Sequence, residues 1–181
     1  MRNGLLFVLV VVGLSACLKR VDYPSRPQIE FIGFYPNPAA VSAADSLGAV
    51  RFSFTDGDGD LGLDAGDTMG VFAQGQPYNY NLFIHYFEKQ NGVFVEVVPP
   101  FPFHVRFKRL TSEGGDGELE GEMQVGVTAR PGTPYDTVRY EMYIVDRALQ
   151  HSDTLVTSSS RSRWSPLSAC EIWITLSPIF S

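Results

Sequence analysis

Leu82-Phe83-Ile84-His85-Tyr86-Phe87-Glu88-Lys89-Gln90-Asn91-Gly92-Val93-Phe94-Val95-Glu96-Val97 decides the fold class of this chain. Residues 79–90 read as a strand. Leu82, Ile84 and Tyr86 fall on one face and Phe83, His85 and Phe87 on the other. Asn91-Gly92 then separates two alternating runs. Both residues tolerate positive φ, so this pair is the strongest short hairpin signal a sequence can carry. Val138, Tyr140, Met142 and Ile144 repeat the alternation within residues 135–146, the clearest strand in the chain.

Working outward, period-two patterns recur on both sides. Ile29, Phe31 and Gly33 alternate with Glu30, Ile32 and Phe34, and Pro36 ends the run. Val50, Phe52 and Phe54 define a half-buried strand. Residues 104–110 read as a strand with Val105 and Phe107 inward and Arg106 and Lys108 outward. Leu119, Met123, Val125 and Val127 form another, with Glu118, Glu120 and Glu122 on its solvated face. Residues 153–157 look like a short closing strand. No stretch after the leader has the period of a useful amphipathic helix. About seven or eight short strands with turns between them predict an all-β, antiparallel β-sandwich, immunoglobulin-like in architecture.

The strand ending at Phe54 runs into Thr55-Asp56-Gly57-Asp58-Gly59-Asp60-Leu61-Gly62, with Asp64 and Asp67 close behind. No Lys or Arg lies between Arg51 and Lys89. Crowded carboxylates repel one another unless a cation sits among them, and alternating Asp on a glycine-bent loop offers the oxygens that Ca²⁺ requires. The all-oxygen donor set favours Ca²⁺ over Zn²⁺. The expected ligands are Asp56, Asp58 and Asp60, with Asp67 and Asp146 as further candidates and Asp64 a weaker one. The alternative is a solvated acidic turn in which Asp and Gly serve turn geometry alone.

The first seventeen residues have a different character. Arg2 gives a positive start, residues 5–12 form a continuous apolar run, and Leu14-Ser15-Ala16-Cys17 closes it. This is the layout of a secretory signal, too short for a transmembrane span. Its ending resembles the lipobox of bacterial lipoproteins. That resemblance implies cleavage before Cys17, lipidation of Cys17 and anchorage in a membrane. With Cys17 lipidated, Cys170 has no partner within the chain, so the fold must hold by packing. The expected organisation is a signal peptide over 1–16, the lipidated cysteine and a tether over 17–27, the sandwich over 28–157 and an atypical tail over 158–181. The tail holds both tryptophans, Trp164 and Trp173. It reads either as poorly packed chain or as a final strand over 171–176, the first being preferred.

The net charge of −6 becomes −7 once Arg2 leaves with the leader, which argues against nucleic-acid binding. Catalysis has little support. His85, His104 and His151 lack metal-ligand spacing, and no nucleophile elbow or phosphate loop occurs. Asp58 and Glu88 could serve as an acid–base pair on a glycan, but no sequence feature brings them together.

The lipobox, the stretch Phe54-Thr55-Asp56-Gly57-Asp58-Gly59-Asp60-Leu61-Gly62 and the late Tyr143-Ile144-Val145-Asp146-Arg147-Ala148 together resemble uncharacterised lipoproteins of Bacteroidota type. The resemblance covers residues 27–157. It implies an immunoglobulin- or fibronectin-like sandwich on the cell envelope, lipid-anchored on a periplasmic or surface face of the outer membrane, and no particular activity. The loop also resembles an EF-hand. Asp56, Asp58, Asp60 and Asp67 fall at positions one, three, five and twelve, but Leu61 replaces the turn glycine. It is closer to the Asp-rich interstrand loops of calcium-binding sandwiches, in which an Asp ending a late strand completes the site; here that residue is Asp146. Three functions follow as expectations. The first is a non-catalytic binding or scaffolding module with a structural Ca²⁺. The second is a subunit of an envelope complex handling glycans or secretion, with a protein or glycan partner. The third, remote from the others, is a hydrolase.

Overall fold

The computed structural model describes residues 22–36, 48–111, 117–130, 133–158, 160–161 and 172–176. Nine strands occur among them: β1 (Gln28–Pro36), β2 (Gly48–Asp56), β3 (Leu82–Gln90), β4 (Val93–Glu96), β5 (Leu119–Val127), β6 (Thr137–Ile144), β7 (Leu155–Val156), β8 (Ser160–Arg161) and β9 (Ile172–Leu176). They form two antiparallel sheets. One has the order β1-β2-β5-β9. The other has the order β4-β3-β6-β7, with β8 also pairing β6. Thr157 lies between the β7 and β8 pairings, its amide bonded to the Tyr140 carbonyl at 2.9 Å, so β7 and β8 act as one interrupted edge strand. The chain is an all-β sandwich, and β1-β2-β5 against β4-β3-β6-β7 is the immunoglobulin-like strand order.

The alternation read from the sequence explains the core. Val50, Phe52 and Phe54 of β2 and Met123 and Val125 of β5 meet Ile84 and Tyr86 of β3 and Val138, Tyr140, Met142 and Ile144 of β6. All of these are buried. The hairpin forms as predicted: Asn91 and Gly92 have φ of 50° and 87°, and Gln90 pairs Val93 across a two-residue turn.

Four expectations need correction. In β1 the register shifts between Phe31 and Gly33, so Ile29, Phe31 and Phe34 pack on the core while Ile32 points out. A bulge adds one residue and reverses the alternation beyond it. Residues 104–110 are extended and carry Phe107 inward, but they make no ladder strand. Their backbone bonds are divided: Val105 pairs Leu82, while Phe107, Arg109 and Leu110 bond the loop residues Leu63 and Leu61. Residues 23–27 are not a free tether, as described below. Finally, the ordered domain does not end near Thr157. Ile172–Leu176 pairs with β5 from Val125 to Gly121, and Ile174 packs against the core. The free edge of β5 offers unpaired N–H and C=O groups, and the apolar run in the tail satisfies them. The leader, Cys17 and Cys170 lie outside the described residues.

One polar pair sits inside the barrier between the sheets and solvent. The Glu88 side chain is fully buried, and its two oxygens accept from Arg130 Nε at 3.1 Å and Nη2 at 3.2 Å. Burial alone would raise its pKa, yet the hydrogen bonds from Arg130 and Thr133 hold it below the usual carboxylate value. Removing one partner of such a pair leaves an uncompensated buried charge. Arg130→Ala should therefore cost about 3–5 kcal/mol in urea unfolding. A loss under about 1 kcal/mol would mean that Glu88 relaxes to solvent or takes up a proton at little cost.

Candidate metal centre

Asp56 is the last residue of β2, and Asp146 follows β6 by two residues. The two strands belong to opposite sheets, so the site spans the sandwich at one end. Asp56 and Asp146 are 0% and 2% exposed. Ligand oxygens of Asp56, Asp58 and Asp60 lie within 4.8 Å of one another, with Asp58 on the exposed side. Local chain geometry creates this convergence. Asp56 Oδ2 accepts the Asp60 amide at 2.9 Å, which folds the loop back on the strand end. Leu61, where an EF-hand has glycine, is fully buried in the core and pins the loop. Gly59 has φ of 69°, and a Cβ there would sit 2.0 Å from the Gly117 carbonyl oxygen, so no other residue fits.

Each buried carboxylate uses one oxygen on the protein and leaves the other without a partner. Asp60 Oδ2 accepts the Ala148 amide at 3.0 Å, and Asp146 Oδ1 accepts the Gln150 amide at 2.6 Å. Asp56 Oδ1, Asp60 Oδ1 and Asp146 Oδ2 are buried with no hydrogen-bond partner. Among the described residues, none of Asp56, Asp58, Asp60 and Asp146 makes an ion pair. The electrostatics follow from this. Burial, then the charges of Asp58 and Asp60, push Asp56 up to about 7. Burial raises Asp146 to about 6 against the Gln150 amide, with Asp60 and Asp58 adding to the rise. Asp60 is raised by burial and by Asp58. Buried polar atoms are nearly always partnered, and buried charges are nearly always paired or metal-bound. The orphaned oxygens of Asp56 and Asp60, grouped with Asp58, fit a hard divalent cation such as Ca²⁺, while Asp146 acts on them electrostatically from the second sheet and lies outside that close group.

The other two loop carboxylates are placed differently. Asp67 and Asp64 both pair with Arg147, Asp64 at 3.0 Å and Asp67 Oδ1 at 3.2 Å. Arg106 donates to the Asp64 and Asp67 carbonyls at 3.1 and 2.9 Å. Asp67 is thus a poor ligand, a correction to the sequence reading. The arginine that neutralises it, Arg147, comes from 80 residues away in the chain, invisible to a local charge count. Arg147 was legible only as the neighbour of Asp146. Glu120 and Glu122 form no second cluster, because Tyr23 and Arg51 take them up.

The histidines also gather, on the outer face of the second sheet. His85 and His104 ring centroids are 5.9 Å apart, and Tyr143 stacks on Phe83, His85 and His151 at 4.9, 5.9 and 5.3 Å. Their nitrogens are engaged: His104 Nδ1 accepts the Ile84 amide, and His85 Nδ1 meets Glu96 at 2.7 Å. These rings pack against one another. Glu88 is paired with Arg130 and does not join the acidic cluster, so Asp58 and Glu88 form no catalytic pair. Comparison with family models, with curated proteins and with solved structures finds no match.

Asp56 titrates at about 7 in the folded chain against 3.8 when unfolded, so its protonated form favours folding. That stability is complete below about pH 4 and is lost as the pH rises through about 7. In chelator, unfolding free energy should therefore fall by on the order of a few kcal/mol across this window, other groups being equal. Asp56→Asn should flatten the profile. An equally flat wild-type profile would show that the carboxylates do not repel one another in the folded chain.

Proposed function

We propose that this chain is a lipid-anchored lipoprotein of the cell envelope, acting as a non-catalytic binding or scaffolding β-sandwich stapled by a structural Ca²⁺. The carrying observation is the set of orphaned buried oxygens of Asp56, Asp60 and Asp146, contributed by both sheets. A cation there joins the C-terminal end of β2 to the segment just beyond β6, a cross-link between the two sheets. Asp58 adds an oxygen from the solvent side. Anchorage rests on the lipobox ending at Cys17, and the periplasmic or surface face of the outer membrane is the corresponding location.

A second reading, as a subunit of an envelope complex handling glycans or secretion, draws on one feature. Val93, Val95, Val98 and Phe101 are 66%, 42%, 82% and 84% exposed along the β4 edge and the segment after it. Exposed apolar surface on an edge strand favours a protein partner. A hydrolase draws on less, since Glu88 is paired with Arg130 away from the acidic cluster.

Thermal unfolding with millimolar Ca²⁺ and then with chelator tests the cation. At 100 times the dissociation constant, Ca²⁺ adds about 2.7 kcal/mol. For a chain of this size that is a rise of roughly 5–10 °C. Asp58→Ala, at an exposed position, should fold and lose most of the rise. No difference between Ca²⁺ and chelator would reduce the cluster to an acidic turn. Cys17→Ser should move the chain from the membrane to the soluble fraction, and retention on the membrane would count against a lipid anchor.

A further inference from the structure

The segment just before β1 crosses the same end of the sandwich and touches both halves of the carboxylate cluster. Pro24 accepts the Gly57 amide at 2.8 Å, beside Asp56. The Ser25 carbonyl accepts from the Gln150 side chain at 3.4 Å, and the Gln150 amide is the group that holds Asp146. Tyr23 donates to Glu120 on β5 at 2.6 Å, while Arg26 donates to Asp153 at 2.7 Å and to the His151 carbonyl at 2.6 Å. Pro27 is buried. Residues 23–27 therefore bridge the two sheets over the site. The fit is close at Gly57, where a Cβ would lie 2.0 Å from the Tyr23 carbonyl oxygen and 2.7 Å from that of Pro24.

The geometry points to a cation-dependent clamp: a cation among Asp56, Asp58, Asp60 and Asp146 fixes the arm of residues 23–27, and the docked arm in turn tightens cation binding. The inference rests on the cation reading above. Its physical basis is that the arm binds the neighbours of two buried carboxylates, each with one oxygen left without a protein partner. A cation that offsets this buried charge steadies the strand ends on which Gly57 and Gln150 sit, and so the two points where the arm docks. Coupling of this kind is reciprocal. The consequence is a surface with a defined partner. With Cys17 as the lipid attachment point, five chain steps lead to Asp22, at most about 18 Å when fully extended. A docked arm then turns the loop end of the sandwich towards the lipid surface. An undocked arm lengthens the leash and frees the domain to reorient.

The test uses the full chain with Ca²⁺ itself as the ligand. Calorimetry should give a dissociation constant at least about fivefold weaker for the Tyr23→Ala/Arg26→Ala double variant. The side-chain partners of Tyr23 and Arg26 are Glu120 and Asp153, neither of which belongs to the cation cluster. Gly57→Ala, which expels the arm sterically, should act in the same direction. In the unaltered chain, amide order parameters at Tyr23, Ser25 and Arg26 should sit near 0.85 with Ca²⁺ and fall below about 0.6 in chelator. An unchanged dissociation constant in the double variant, or equal order parameters in both states, would overturn the clamp and leave the cation site standing. Absence of any binding heat in the unaltered chain would instead sink the cation reading, and the clamp with it.

Discussion

Burial of carboxylates with unmatched oxygens, at the end of β2 and just beyond the end of β6, is the constraint on which this end of the molecule depends. Asp56 and Asp146 are buried, face one cluster, and belong to different sheets. Apolar contacts hold the middle of the sandwich together, from Phe52 and Met123 on one side to Tyr86 and Met142 on the other. Nothing apolar could do that for two buried anions. Removing a charge from water costs several kcal/mol, and the cost is recovered only by a partner of opposite sign or by a proton. The chain supplies backbone amides for one oxygen of Asp56, Asp60 and Asp146 and leaves the others unmatched. That asymmetry distinguishes the cluster from an ordinary acidic turn, whose oxygens would face water.

The loop is built to keep the arrangement rigid. Leu61 and Leu63 enter the core, so the chain between Asp60 and Asp64 cannot drift outward. Lys108 and Arg109 cover it, with Arg109 bonded to the Leu63 carbonyl at 3.2 Å and Leu110 to that of Leu61 at 2.9 Å. Asn81 completes the support: its side-chain amide bonds both the amide and the carbonyl of Phe107, at 2.8 and 2.9 Å, in the manner of a neighbouring strand. The segment over residues 104–110 thus buttresses the site where a paired strand was expected. Arg147 draws the Asp64 and Asp67 carboxylates aside, and among the described residues no ion pair reaches Asp56, Asp58, Asp60 or Asp146.

The two sheets differ in what their outer surfaces offer. The second carries a stacked row of His151, Tyr143 and Phe83, with His85 and His104 at its flank, a self-packed layer whose ring faces cover one another. Its β4 edge is lined by valines, although Phe94 is shielded by Lys89 and Arg139 at 5.9 and 4.6 Å. The first sheet gains β9 at its far edge, so β5 has both neighbours and its hydrogen-bonding groups are used. These differences give the sandwich one apolar edge at β4 and one acidic end.

By itself the sequence determined the strands and the inward faces of β2, β3, β5 and β6, because a side-chain period of two is a local property of the backbone. It determined the hairpin through Asn91-Gly92 for the same reason. Asp56, Asp58 and Asp60 were legible because they are adjacent, and Asp146 because it ends a late strand. Only the tertiary structure decided which carboxylates share a site. Arg147 acts on the Asp64 and Asp67 carboxylates, and Arg106 on their carbonyls, from distant segments, and no local count of charges contains them. The bulge in β1, the pairing of β9 with β5 and the docking of residues 23–27 likewise depend on free hydrogen-bonding groups that exist only once the sheets are assembled. Alternation is written residue by residue, whereas neutralisation and edge closure belong to whichever segments the fold brings together.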